Sequence, residues 1–210
     1  MRILVGCEES GKVRDAFIAL GHDAWSNDLL LDARNGGPHL KKCVKRAIVE
    51  DGPWDIIILH YECTEMAVCA NRWYAKGKPG HSKRLEALDW AEDLWNLAKS
   101  HARVGCVFEN PASTLWTRIG TPQYIQPHNF GHKEMKKTGL KAYNLPPLKH
   151  TEEVGPPPPL GSQERKSWER IWRMAKSPTR KRDRSETFKG IADAMAQQYS
   201  DYVQNNHTTT

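Results

Sequence analysis

The sequence predicts an open, mostly parallel α/β sheet with helices on both faces. Over the first 110 residues, short apolar runs alternate with segments whose apolar residues recur at helical spacing. Two of those runs, DIIILH and RVGCVFE, are continuous rather than alternating, as strands covered on both faces are. The length of 210 residues is enough for one domain with its own core.

Arg2–Gly6 (RILVG) reads as a buried strand stopped by glycine. Lys12–Leu20 follows as a helix with Val13, Phe17 and Leu20 on one face, and Gly21 suits its C-terminal cap. His22–Ser26 alternates like a second strand, and Asp55–His60 is the first continuous one. Between Lys83 and Lys99, Leu85, Leu88, Ala91, Leu94, Trp95 and Ala98 define a helix face. Arg103–Glu109 is a central strand ending in a carboxylate. Beyond Pro111 the pattern loosens. Thr121–His132 is polar and turn-rich, and Lys136–Tyr143 is a candidate strand. Glu153–Gly161 contains four consecutive prolines and is excluded from regular helix or sheet. Ser162–Lys176 is expected as one amphipathic helix carrying Trp168, Ile171, Trp172 and Ala175. Lys176–Arg184 is expected as a basic loop, Ile191–Tyr202 as a closing helix, and 204–210 as a frayed tail. The expected organisation is one domain over 1–203: a core to about 145, a Pro-rich and basic appendage over 146–186, and a closing helix over 187–203.

Composition narrows the function classes. No apolar run reaches the length of a membrane span, and a cytoplasmic protein is expected. The five cysteines are odd in number, scattered and without a CxxC pair, so neither a disulfide framework nor a zinc knuckle is indicated. The histidines His60, His128 and His132 are loosely spaced and suggest no metal. Net charge is +6, and it is unevenly spread. Lys133–Lys189 holds fifteen Lys/Arg against seven Asp/Glu, whereas residues 1–59 are nearly neutral. A small ligand on the front half and nucleic acid on the back half fit that distribution; a solvated basic surface is the alternative.

Ligands of parallel α/β sheets sit beyond the carboxyl ends of the strands. Four segments lie at such ends: Gly6–Gly11, Ser26–Asp28, His60–Thr64 and Glu109–Pro111. The loop Gly6-Cys-Glu8-Glu-Ser-Gly11 opens a helix, yet its two glutamates argue against a pyrophosphate and for a ligand with amine and hydroxyl groups. An ordinary tight turn is the plainer reading. Asp28 suits ribose hydroxyls or helix capping equally. Cys63 follows a buried strand, and Glu109 ends another, where half-burial is expected to raise its pKa. A thiol and a proton-donating carboxyl suit addition across C5–C6 of a pyrimidine. Buried free cysteines are usually inert, so spacing alone leaves this open. Trp90, Trp95, Trp168 and Trp172 are expected in the core; Trp73 and Tyr74 follow the cysteine loop, where they can stack on a base.

These residues resemble the blocks of phage-type short DNA cytosine-5 methyltransferases. The opening RILVGCEESGKVRDAFIALGHDAWSNDL, His60-Tyr-Glu-Cys63-Thr64, Asn71-Arg-Trp-Tyr74, Glu109-Asn110-Pro111, Ile125–His132, Pro146-Pro-Leu148 and Arg184–Ala196 follow in the family's order. The resemblance implies an S-adenosylmethionine-dependent methyltransferase fold, with Gly6, Glu8, Asp28, Ser185 and Thr187 lining the cofactor. It implies Cys63 as the nucleophile toward C6 of a flipped cytosine, and Glu109 as the acid at N3. Arg72 and Asn110 fall within matching blocks and are expected at the substrate. Lys136, Lys137, Lys181, Arg182 and Arg184 are expected to grip DNA phosphates on charge and position. Three departures stand out: Tyr61-Glu62 in place of Pro-Pro, Cys43 where relatives often carry an aspartate, and Met135 for a threonine. Loss of the proline is expected to loosen the cysteine loop, and Glu62 to disfavour the thiolate. A silent or altered-donor relative that binds nucleic acid or a host defence protein is therefore the alternative. Only about 45 residues, Leu140 to Arg184, replace a target-recognition domain, so low sequence specificity or a partner that supplies it is expected.

Overall fold

The computed structural model describes residues 1–30 and 36–207. In chain order the elements are β1 (Arg2–Gly6), α1 (Lys12–Ala19), β2 (Asp23–Asp28), β3 (His39–Lys41), α2 (Val44–Glu50), β4 (Trp54–Leu59), α3 (Asn71–Tyr74), α4 (His81–His101) and β5 (Ala102–Pro111). They continue with α5 (Trp116–Ile119), β6 (Gln123–Ile125), β7 (Thr138–Tyr143), α6 (Gln163–Trp168), α7 (Arg170–Arg173), α8 (Arg180–Ser185) and α9 (Lys189–His207). The strands form one open sheet in the order β3-β2-β1-β4-β5-β7-β6. All neighbours up to β5 are parallel, while β7 runs antiparallel to both β5 and β6. The fold is a Rossmann-like α/β sheet. No helix among the described residues is long and apolar enough to cross a membrane.

The continuous apolar strands are explained by two cores. Ile3, Val5, Ile56, Ile58 and Val107 pack under α1 and α9, through Phe17, Ile191, Met195 and Tyr199. The alternate residues Leu4, Ile57, Leu59, Cys106 and Phe108 face α2 and α4, through Ile48, Leu88, Leu94 and Trp95. Period-two alternation of side chains puts both sets of one strand in apolar surroundings. The largest wholly buried side chain, Trp54, donates its indole N–H to Ala47 O at 3.1 Å, which removes the cost of burying that polar group.

Local chemistry sets the helix ends that shape the site. Gly11 adopts φ 66° before α1, and the Arg14 guanidinium lies where a Cβ at Gly11 would stand. Arg14 is itself fully buried and donates to Ser26 Oγ at 2.8 Å, tying α1 to β2. At the start of α9, the Gly190 N–H donates to His132 Nε2 at 2.9 Å. A Cβ on Gly190 would come within 1.9 Å of Phe130 O, a backbone atom with no rotamer to escape by. Gly190→Ala is therefore expected to cost at least ~2 kcal/mol, since α9 must lift from the loop to accommodate it. Thermal melting should fall by roughly 2–4 °C per kcal/mol; an unchanged melt would rule out this close approach.

Several expectations need correction. Ser162–Lys176 is not one helix: it breaks at Glu169, whose φ of −89° and ψ of 20° separate α6 from α7. Trp168 and Ile171 are buried as expected, but Trp172 is 56% exposed and Ala175 is also exposed. The break shifts the helical phase, so the face extrapolated from Trp168 no longer points inward. Residues 180–185 form α8 rather than a loop, since Arg and Lys are good helix formers. On α4, Arg84 and not Leu85 lies on the buried face. The closing helix runs to His207, so residues 204–207 are helical; the rest of the expected frayed tail, 208–210, lies outside the described residues. The strands β3 and β6, three residues each, carry no sequence signal.

Candidate functional site

Strand register assembles the site. In the parallel β4–β5 pair Leu59 stands opposite Phe108, so the next residues, His60 and Glu109, emerge side by side at the carboxyl edge. His60 Nδ1 lies 3.3 Å from Glu109 Oε2, with side-chain exposures of 8% and 17%. A carboxylate only accepts, so this nitrogen carries the hydrogen. Burial pushes the Glu109 carboxyl up, but the hydrogen bond from His60, the attraction of that ring and the Lys136 ammonium outweigh it. Its pKa lies below the ordinary value, which corrects the raised value expected from half-burial.

Lys136 precedes β7, the strand that pairs with β5, and its ammonium donates to Ser185 O at 3.3 Å and Glu186 O at 3.1 Å. Burial lowers its pKa, and the negative charges of Glu109 and of an ionised Cys63 oppose that drop. Lys136 therefore belongs to the cleft and fastens the segment before α9 to it. It does not stand free for a DNA phosphate, as its charge alone suggested.

Cys63 lies in the loop after β4, half-buried. Burial, then the Glu109 carboxylate, push its thiol up to about 11, while Lys136 pulls the other way. Glu62 is not among the charges acting on it. That carboxylate pairs with Lys181 Nζ at 2.6 Å and accepts the Thr64 hydroxyl at 2.6 Å. The expected effect of Glu62 on the thiolate is thus corrected: Glu109 supplies it instead. Contacts of other kinds hold the loop where the proline is missing. Tyr61 stacks on Trp90 with ring centroids 4.5 Å apart, and the Asn110 amide donates to Tyr61 O at 2.9 Å. Beyond the cysteine, Arg84 donates to Glu65 O, Ala67 O and Asn71 Oδ1, and Val68 N–H bonds Ala112 O.

This thiol environment makes a simple titration informative. At neutral pH Cys63 is held almost wholly as the thiol, since its pKa is pushed up to about 11. Alkylation by iodoacetamide should label exposed Cys43 and Cys69 first. The Cys63 rate should keep climbing with pH up to about 11, read peptide by peptide by mass spectrometry. A Cys63 plateau in the ordinary thiol range would contradict the burial described here.

The cofactor candidates fall on the β1–β2 side. Glu8 is buried, accepts Val13 N–H at 2.7 Å and Arg14 N–H at 3.4 Å, and so closes the N-terminus of α1 with its own carboxylate. Burial raises its pKa, and the nearby His60 opposes the rise. Gly6 is packed against Val44 and Leu59 with no room for a Cβ. Asp28 is half-buried and accepts Leu30 N–H at 2.9 Å. Burial, then the charges of Asp28, Cys43 and Glu62, push the Cys7 thiol up to about 12. Asn27 Oδ1 is buried with no hydrogen-bond partner. Ser185 and Thr187 sit on the other flank. The Ser185 hydroxyl donates to Arg182 O within its own helix, so its side chain is not presented to a ligand. Thr187 joins Glu109, Lys136, Phe188 and Ile191 around a cavity of about 10 Å³, room for one water. Glu186 pairs with Lys12 at 2.9 Å, which holds this segment against the start of α1.

The remaining basic residues divide. Lys181 is engaged by Glu62, and Arg182 lies 3.7 Å from Asp183. Lys137 lies over the Tyr124 ring at 4.2 Å, Arg72 over Trp73 at 5.1 Å and Arg184 over Trp172 at 5.9 Å. His60 is the residue that sequence reading missed. It opened the strand-end segment His60–Thr64 yet was given no role there, and its partner is 49 residues away. No protein-family model matches the chain, and the comparison with curated proteins finds no relative.

Proposed function

We propose that the protein is a DNA cytosine-5 methyltransferase-like enzyme that moves a methyl group from S-adenosylmethionine to C5 of cytosine through a Cys63–C6 adduct. The observation that carries this reading is the gathering of Cys63, Glu109 and Lys136 beyond β4 and β5: Glu109 and Lys136 line one small cavity, and the Glu109 charge acts on both Cys63 and Lys136. The strand order, with reversed β7 between β5 and β6, suits a methyltransferase sheet. The loops around Cys7 suit the cofactor: Asp28 can take ribose hydroxyls, its charge favours a cation, and Asn27 Oδ1 lacks a donor. When bound, S-adenosylmethionine supplies the electrophilic methyl group.

The protons balance within the cleft. Sγ of Cys63 bonds C6 and loses its proton, while N3 of the base gains one. In this reading Glu109, whose pKa is depressed, takes the first proton and donates the second. His60 stabilises the carboxylate once the proton has left, and the Lys136 charge favours the thiolate. Once C5 carried the methyl group, its hydrogen would leave as a proton to water, the S–C6 bond would break, and the N3 proton would return through Glu109 to the sulfur, restoring the thiol and the aromatic ring. A second reading, a protein that binds nucleic acid without methyl transfer, is favoured by the small cavity beside Glu109 and the protonated Cys63 thiol.

Incubation with DNA and methyl-labelled S-adenosylmethionine, followed by digestion to nucleosides and mass spectrometry, separates them. The expected product is 5-methylcytosine. No modified base, with the cofactor shown not to bind, would overturn the methyltransferase reading.

A further inference from the structure

Trp73 and Trp172 are 60% and 56% exposed, and each lies under an arginine, Arg72 and Arg184. Neither arginine has an acidic partner among the described residues. Both pairs stand on segments tied to the Cys63 loop. The first is on α3, fixed by the Arg84 bonds to Glu65, Ala67 and Asn71. The second is held by α8, which Lys181 clips to Glu62, the neighbour of Cys63, and Arg184 is close enough for its charge to act on Lys136. An indole face with a guanidinium beside it offers stacking for a base and a positive charge for its phosphate.

Double-helical DNA needs a different surface. Reading base edges takes an element long enough to lie in a groove. Between β7 and α9 the helices have six, four and six residues, and α8, at roughly 1.5 Å per residue, spans only about 9 Å. The described segment between β7 and α9 therefore carries a stacking platform and no helix of groove length.

We infer that the surface formed by Trp73, Arg72, Trp172 and Arg184 binds an unpaired nucleic-acid strand and delivers it to the Cys63 cleft, so that the substrate is single-stranded or locally unpaired. This rests on the reading of that cleft as one that acts on a nucleic-acid base. The charge of the appendage fits it: residues 176–184 carry five Lys/Arg and one Asp.

The test uses the full chain with Cys63→Ser, no cofactor, and a fluorescent mixed-sequence DNA strand of about 12 nucleotides, within the footprint of known single-strand sites. Anisotropy titrations compare it with the same strand in a duplex. The single strand should bind at least about tenfold more tightly, and Trp172→Ala and Trp73→Ala should each weaken it about five- to tenfold, as the loss of one stacked base does. Trp172→Phe, which keeps a ring, should restore most of the affinity; thermal melts check that each variant folds. Equal or tighter duplex binding, or single-strand affinity indifferent to both tryptophans, overturns the inference. Binding is read without methyl transfer, so the two ideas fail separately. Tryptophan-dependent strand binding without 5-methylcytosine would remove the proposed activity alone, and methylation of duplex DNA by a Trp73/Trp172 double variant would remove this inference alone.

Discussion

Cys63→Ser is expected to bring methyl transfer to background while leaving the fold intact. The serine hydroxyl is isosteric within a few tenths of an ångström but far less acidic, and no base beside it is strong enough to ionise it. Cys63 is half-buried in a loop held by Tyr61 stacking, by Asn110 and by Arg84, none of which uses the thiol. The melting temperature should therefore move little. The same substitution should abolish the covalent adduct with a mechanism-based pyrimidine trap, seen as a mass shift on the intact chain. An adduct that persists in Cys63→Ser would sink the assignment of the nucleophile, and one that migrates to Cys69 would say that the exposed neighbour had taken its place.

Glu109→Gln is expected to separate thiol reactivity from catalysis. The Glu109 carboxylate is the largest charge raising the Cys63 pKa, second only to burial. Removing it should lower that pKa and speed Cys63 alkylation at a fixed mildly alkaline pH. Methyl transfer should fall by roughly 10²–10⁴, because the amide cannot pass a proton to N3. A variant that loses both reactivities would mean that the loop had collapsed. The stability of the folded chain adds a sign. The Glu109 pKa is depressed in the folded state, so its contribution is present above the unfolded carboxyl pKa and is lost as pH falls through the lower, folded value. Acid denaturation of wild type should show this loss, and Glu109→Gln should lack that part of it. Acid curves that superimpose would contradict the His60 and Lys136 contacts.

Much of this was legible from the residues. Continuous runs such as Ile56–Ile58 require apolar surroundings on both sheet faces, so they announced parallel strands and two helical layers. The loops after those strands had to carry Cys63 and Glu109 to one edge, because ligands of such sheets meet strand carboxyl ends. Short or polar elements were illegible for the opposite reason. β3 and β6 have three residues each and no periodicity to detect, and α8 has no apolar stripe.

The sequence by itself determined which side chains the strands bury and which residues leave the sheet at its carboxyl edge, because periodicity and burial are local properties of a chain. Only the tertiary structure decided which of those residues meet. The Leu59–Phe108 register sets His60 against Glu109 across 49 positions, and β7 brings Lys136 beside them from a further strand. The break at Glu169 turns Trp172 outward, and Glu62 finds Lys181 on a helix more than a hundred residues away. Pairing register, helix phase across a break and long-range ion pairs are set by the packing of whole elements, and a local pattern of residues carries no information about them.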